Sequence, residues 1–195
     1  MVSLGEGQLG EAEGRIKLAT PKRKSSIGGV GEFLLILVVT FALVFGVVRP
    51  FVVEAFYIPS ESMLPTFEVG DRIFVNKFVY RLREPKHGDI VVFKSIEGEQ
   101  EDLIKRIVGV PGDTIALANG TLLVNGVAME EPYVNHQLPD LSSFGPISVP
   151  EGKVFVLGDN RANSRDSRFF GALPAEDIEG EAFVTFWPPG RMRLL

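Results

Sequence analysis

From Phe33 to Val48 the chain is an unbroken apolar run, FLLILVVTFALVFGVV, bounded by Glu32 and Arg49. As a helix, these 16 residues cover roughly 24 Å, slightly short of a hydrocarbon core of about 30 Å. Gly28 to Gly31 before the run and Pro50-Phe51-Val52-Val53 behind it supply the remainder, with the charged ends snorkelling. A buried core helix would show one polar face, and this run shows none. A cleaved leader would want an Ala-x-Ala-like site behind a shorter apolar region, and Gly46-Val47-Val48-Arg49-Pro50 is a poor one. The expected organisation is a mobile tail over 1–27, an uncleaved transmembrane anchor over 28–53 and a main domain over 54–195.

Flanking charge sets the expected orientation. Arg15, Lys17, Lys22, Arg23 and Lys24 precede the span, while only Arg49 follows it closely. By the positive-inside rule the N-terminus stays in the cytoplasm and the main domain lies on the opposite side of the membrane. Of the net charge of −5, the tail contributes +2, so the rest of the chain is at −7. An acidic domain argues against a nucleic-acid partner. The absence of cysteine removes disulfides, thiolate chemistry and cysteine metal sites.

Beyond the anchor the pattern is that of strands. Residues 72–79, 90–93, 154–157 and 182–187 are rich in β-branched and aromatic residues. In 114–129, Asn119-Gly120 and Asn125-Gly126 separate short apolar runs, and Asn-Gly favours the type I′ turn because both central residues need positive φ. Pro132 to Pro150 has little period and reads as an irregular excursion. The expected fold is mostly antiparallel β behind a single N-terminal transmembrane helix.

Three stretches can carry chemistry. In Phe56-Tyr57-Ile58-Pro59-Ser60-Glu61-Ser62-Met63-Leu64-Pro65-Thr66 the two serines would face the same side of an extended segment. One could then attack while the other donates to an oxyanion, although serine with proline is also ordinary turn chemistry. Lys105 lies among Ile104, Ile107 and Val108. Burial there would lower its pKa and make it a general base, whereas an outward-facing lysine on an amphipathic strand satisfies the same local pattern. Gly158 to Arg168 is dense in polar groups, and its arginines favour a charge-paired scaffold, such as Asp166 with Arg168 or Arg161, over a cation site. His87 reads as a turn residue, and His136 has no partner at zinc or triad spacing.

Together these stretches resemble the bacterial-type type I signal peptidases, a serine family with a Ser/Lys dyad, from the anchor to about Trp187. The resemblance implies that Ser62, followed by Met63-Leu64-Pro65-Thr66, is the nucleophile and Lys105 the general base. It implies that Ser60 and the Ser62 N–H bind the oxyanion. Ser164 would hydrogen-bond and orient the lysine, with Asp166 and Arg168 holding that serine. Phe56, Ile58, Met63 and Ile104 would line small S1 and S3 pockets, beside an apolar surface able to rest on the bilayer. Glu61 and Ala162 depart from the family pattern, which often has Gly and Asp there. The compact 125–149 region argues against a large inserted subdomain, and Lys105 argues against the endoplasmic-reticulum subclass with histidine as base.

The implied activity is removal of signal peptides from exported preproteins by a membrane-bound serine endopeptidase, with no cofactor or metal and with signal peptides and the lipid bilayer as partners. The rivals are a self-cleaving repressor-type Ser/Lys protease, a catalytically dead membrane-tethered homologue, and an organellar inner-membrane or thylakoid peptidase.

Overall fold

The computed structural model describes residues 26–48, 52–95, 101–134 and 139–195. Residues 1–25 of the expected tail, Arg49 and His136 fall outside these residues, while Ser26 and Ile27 open the helix. Helix α1, Ser26–Leu43, continues into a π-helical turn at Val44–Val48. Gly29–Gly46 within it is 18 residues of mean hydropathy 2.3, long and apolar enough to cross a membrane. Its side chains from Gly29 to Gly46 are exposed, with no covering from the other described residues.

The rest of the described chain is two antiparallel sheets, as the residue pattern predicts. The larger has the order β1(Val53–Tyr57), β2(Arg72–Asn76), β11(Ile178–Trp187), β3(Ile90–Lys94), β4(Asp102–Gly109), β9(Lys153–Leu157) and β10(Leu173–Pro174), with β12(Arg193–Leu194) also pairing β11. The smaller has the order β7(Val127–Ala128), β6(Thr121–Val124), β5(Thr114–Ala118) and β8(Phe144–Ser148). Both Asn-Gly pairs are turns with positive φ, 50° and 80° at Asn119-Gly120 and 54° and 80° at Asn125-Gly126.

Three expectations change. Val52 and Val53, assigned to the end of the anchor, serve the sheet: Val53 pairs with Asn76, and the Val52 carbonyl accepts from Lys77 N–H at 2.9 Å. Strand β2 stops at Asn76 rather than Val79 because the Asn76 side chain accepts from Phe78 N–H at 3.0 Å and turns the chain. The excursion from Pro132 to Pro150 contains a strand, β8, paired with β5. It has no apolar alternation because it is a mostly exposed edge, where Pro146 costs no ladder bond.

Burial on both faces of the larger sheet explains the unbroken apolar runs. Along β3, Ile90 and Val92 join Ile58, Met63, Phe67, Ile73, Val75, Ile104 and Ala182 in one cluster, while Val91 and Phe93 join Ile107, Val154, Val156 and Leu173 in another. A third cluster, built on Ile115, Leu117, Leu122 and Val124 of the smaller sheet with Val108, Phe155 and Leu157 of the larger, joins the two sheets. Phe155 is completely buried in it, its ring centroid 5.7 Å from that of Phe144. Phe155→Ala is expected to lower stability by about 3–5 kcal/mol, measured by urea unfolding of the detergent-solubilised chain.

Candidate active site

Lys105 lies in β4 opposite Val91, flanked by buried Ile104 and Ile107, and is itself 2% exposed. Its Nζ is 2.9 Å from Ser62 Oγ and donates to the Ile104 carbonyl at 2.8 Å. Removal from water drives its pKa down from the ordinary 10.5 to about 8, although Asp166 and then Asp159 pull the other way. Of the two local readings of this lysine, the buried one is realised. A lysine of this kind has a substantial neutral fraction near pH 8, and a neutral amine can take a proton from the hydroxyl it touches.

The serine segment is not extended. Residues 62–66 form a turn, with Leu64 N–H donating to the Glu61 carbonyl and Phe67 N–H to the Met63 carbonyl. The two serines nevertheless point together: Ser60 is exposed, Ser62 is buried, and their hydroxyl oxygens are 3.4 Å apart. That separation is longer than an O–H···O bond, so the Ser60 hydroxyl is a neighbour of Ser62 rather than its fixed partner. Among the described residues, no acceptor takes the Ser62 N–H.

The polar run Gly158 to Arg168 clamps this turn. Asn160 N–H donates to the Ser62 carbonyl at 3.0 Å, and Asn160 Nδ2 donates to the Glu61 carbonyl at 3.1 Å. Asp159 is completely buried and accepts from Arg106 Nε at 2.9 Å, from Arg106 Nη2 at 2.7 Å and from the Thr66 hydroxyl. Arg106 also lies 3.9 Å from the Tyr133 ring centroid. Three segments distant in sequence therefore meet at one carboxylate. Gly158 permits the close approach: a Cβ there would lie 2.5 Å from the Ser62 carbonyl oxygen and 2.2 Å from Ser164 Oγ.

Asp166 and Arg168 pair as expected, Nε to Oδ1 at 2.8 Å and Nη2 to Oδ2 at 2.9 Å, and Asp166 also accepts from Gly158 N–H at 3.1 Å and caps the short helix α2(Ser167–Phe170). Arg168 further donates to the Arg161 carbonyl at 2.7 Å and reaches Asp140. Arg161 pairs with Glu131, not with Asp166. Ser164 differs from expectation. Its Oγ is buried with no hydrogen-bond partner, so it does not bond Lys105, whose amine contacts Ser62 Oγ and the Ile104 carbonyl. It lies instead against Gly158, where an added Cβ would meet both Ser164 and the Ser62 carbonyl.

Phe56, Ile58 and Ile104 line a cavity of about 440 Å³ together with Ile73, Val92 and Pro59, the neighbour of Ser60. Met63 does not line it and is completely buried in the cluster with Ile58 and Ile104. His87 Nε2 lies 2.8 Å from Asp113 in its turn. The residues that sequence reasoning missed are Arg106, Thr66, Asp159 and Asn160, all of them inside the stretches already singled out. Glu131 and Asp140 carried no signal, because Asp140 falls where the pattern has no period and Glu131 stands at its edge, outside the stretches singled out.

Adding one methyl group tests the clamp. Gly158→Ala is expected to cost at least tenfold in turnover, because the polar run or the Ser62 turn must shift by about 1 Å. Steady-state cleavage beside thermal unfolding of the same variant separates this loss from loss of fold.

The family model described as "Signal peptidase, peptidase S26" matches residues 30–187. The signal peptidase I of Leptolyngbya laminosa is 47% identical over 152 residues, covering 74% of this chain and 74% of that protein. The probable signal peptidase I-2 of Synechocystis sp. is 44% identical over 153 residues, 76% of this chain and 69% of that one. The signal peptidase I P of Bacillus subtilis subsp. natto is 40% identical over 181 residues, 88% of this chain and 96% of that one. With a dyad-like geometry in a mostly antiparallel β domain and a family match over most of its length, the chain belongs to the signal peptidase, peptidase S26 family.

Proposed function

We propose that the chain is a membrane-anchored serine endopeptidase that removes signal peptides from exported preproteins. The observation that carries this reading is the buried Lys105 amine, 2.9 Å from Ser62 Oγ. Neutral Lys105 takes the Ser62 proton as Oγ attacks the scissile carbonyl carbon. The resulting oxyanion accepts from the Ser62 N–H and the Ser60 hydroxyl, which no bond inside the turn holds elsewhere. The tetrahedral intermediate collapses with cleavage of the C–N bond, and the Lys105 ammonium protonates the leaving amine. Water, deprotonated by the same lysine, then hydrolyses the acyl ester and frees Ser62.

Phe56, Ile58 and Ile104 give the cavity apolar lining, and Ile104 precedes Lys105 on β4, so we assign to this cavity the small side chains upstream of the cleaved bond. Asp166 and Arg168 brace the clamp, Ser164 acts by packing, and Met63 shapes the wall from beneath. We assign residues 1–27 to the cytoplasmic side, the anchor from residue 28, and the peptidase domain from Val53 to the outer side of the plasma membrane. The five Lys/Arg of the tail support that orientation. The anchor puts enzyme and signal peptide in one two-dimensional layer, raising their effective concentration.

The decisive experiment is cleavage of a preprotein bearing an Ala-x-Ala site in detergent, by wild type, Ser62→Ala and Lys105→Ala. Wild type is expected to cut after the second Ala, and both variants to lose activity by at least 10³-fold. The wild-type kcat should rise with pH to a plateau above about 8, as the lysine becomes neutral. Cleavage by Ser62→Ala would reassign the nucleophile, and a wild type that cuts no preprotein would favour the tethered binding homologue.

The same lysine makes stability depend on pH. Its folded pKa of about 8 lies below the ordinary 10.5, so the penalty for burying the ammonium is fully present below pH 8 and disappears as pH rises towards 10.5. Lys105→Met removes that penalty. Relative to wild type, its stability is expected to be highest at pH 6–7 and to decline by roughly 3 kcal/mol between pH 8 and 10.5, followed by thermal unfolding of the full chain in detergent.

A further inference from the structure

The segment bearing Ser60 and Ser62 is a loop closed at its neck, where Ile58 N–H donates to the Asp71 carbonyl at 2.9 Å and Gly70 N–H to the Ile58 carbonyl at 3.0 Å. Asp71 is 2% exposed there, and its Oδ2 takes the Glu68 N–H at 3.0 Å. A carboxylate so far from water needs a cation, and the cation comes from the opposite end of the chain. Arg191 Nε lies 3.0 Å from Asp71 Oδ1 and Nη2 lies 2.9 Å from Oδ2, a two-pronged fork. Arg191 Nη1 also reaches Glu68, and Arg193 Nη2 donates to the Thr66 carbonyl. Thr66 is thus held from two sides, by its carbonyl on Arg193 and its hydroxyl on Asp159.

Local structure presents these arginines. Pro189–Arg191 is a single 3₁₀ turn, after which β12 folds back on β11 with Leu194 opposite Val184 and Arg193 opposite Thr185. Leu195 N–H closes the return on the Phe183 carbonyl at 3.1 Å. The nucleophile loop therefore sits between two holders, the polar run at Asn160 and the returning segment at Arg191 and Arg193.

We propose that this returning segment is a latch on the nucleophile loop. Arg191 acts through Asp71, and Arg193 through Thr66, to keep Ser62 in reach of Lys105; both are positioning residues. Without Arg191 a buried carboxylate at the neck has no counter-charge and must find water, and a shift of about 1 Å in a reacting atom is enough to cost up to 10²-fold in rate. The proposal rests on Ser62 being the nucleophile.

The test is preprotein cleavage by the detergent-solubilised full chain, with kcat, KM, pH profile and folded fraction for each variant. Arg191→Met is expected to lower kcat about tenfold per folded molecule, with KM within about twofold. The pH midpoint should stay at the wild-type position, because Lys105 keeps its surroundings. Arg191→Lys should recover part of the loss, and exposed Arg193→Met should show a smaller fall in the same sense. In an Asp71→Ala background, Arg191→Met should add nothing further, since the path through Asp71 is already cut. Lys94→Met, which removes a pair between exposed Lys94 and half-buried Glu179 at 3.6 Å, serves as the unaffected control.

Folded Arg191→Met with wild-type kcat overturns the latch, as does an equal loss in the Asp71→Ala background or a displaced pH midpoint. Should Arg191→Met not fold, Arg191→Lys decides, and wild-type kcat there overturns it. Failure of the latch leaves Ser62→Ala inactive, whereas failure of the Ser62 reading leaves Ser62→Ala active.

Discussion

A buried ion pair organises the site. Asp159 has no exposed surface, and Arg106 answers it with two short bonds while the Thr66 hydroxyl supplies a third. A carboxylate in that setting is unfavourable unless geometry and satisfaction are both good, so its partners are constrained to a narrow set of positions. Those partners belong to the turn after Ser62, to the residue next to Lys105 and to the run after β9. Satisfying one charge thereby registers the three segments that the proposed chemistry needs.

The lysine is under opposing demands. Burial lowers its pKa, while Asp166 and Asp159 favour the ammonium, and burial wins. Both carboxylates are also engaged with guanidinium groups, Asp166 with Arg168 and Asp159 with Arg106. Part of their field at Lys105 is thus offset by fixed positive charge. An unpaired carboxylate in either place would favour the ammonium more strongly. Arg168 and Arg106 serve the lysine in this indirect way, through the carboxylates they pair with.

The two sheets divide the work. The larger sheet supplies β4 with Lys105, and its β1 leads directly into the serine loop; the smaller sheet buries one side of β9 through Phe155 and Leu157. Because β9 ends at Leu157, packing of that strand sets where Gly158 and Asp159 begin. The apolar helix α1 is of a different kind, with exposed side chains from Gly29 to Gly46 and a length and mean hydropathy sufficient to cross a membrane.

Much of this was legible in the order of residues. The membrane-length run, both Asn-Gly turns and most strands follow from local periodicity and from φ preferences, which act over a few residues. Lys105 and Ser62 stood out by type and by motif, and the pairing of Asp166 with Arg168 by charge and proximity. Other features depend on segments far apart in the chain: Lys105 lies 43 residues from Ser62, Asp159 lies 53 from Arg106, and Arg191 lies 120 from Asp71. Strand β8 was hidden because an exposed edge needs no apolar alternation, and its evidence is the ladder with β5. Ser164 shows the converse, since its type suggests a hydrogen bond that packing against Gly158 does not provide. The sequence alone determined the local elements and the chemical identity of the candidate groups, because backbone preferences and hydrophobicity are short-range. Only the tertiary structure decided which groups lose water and which meet, because desolvation and distance belong to the folded ensemble of segments rather than to any one of them.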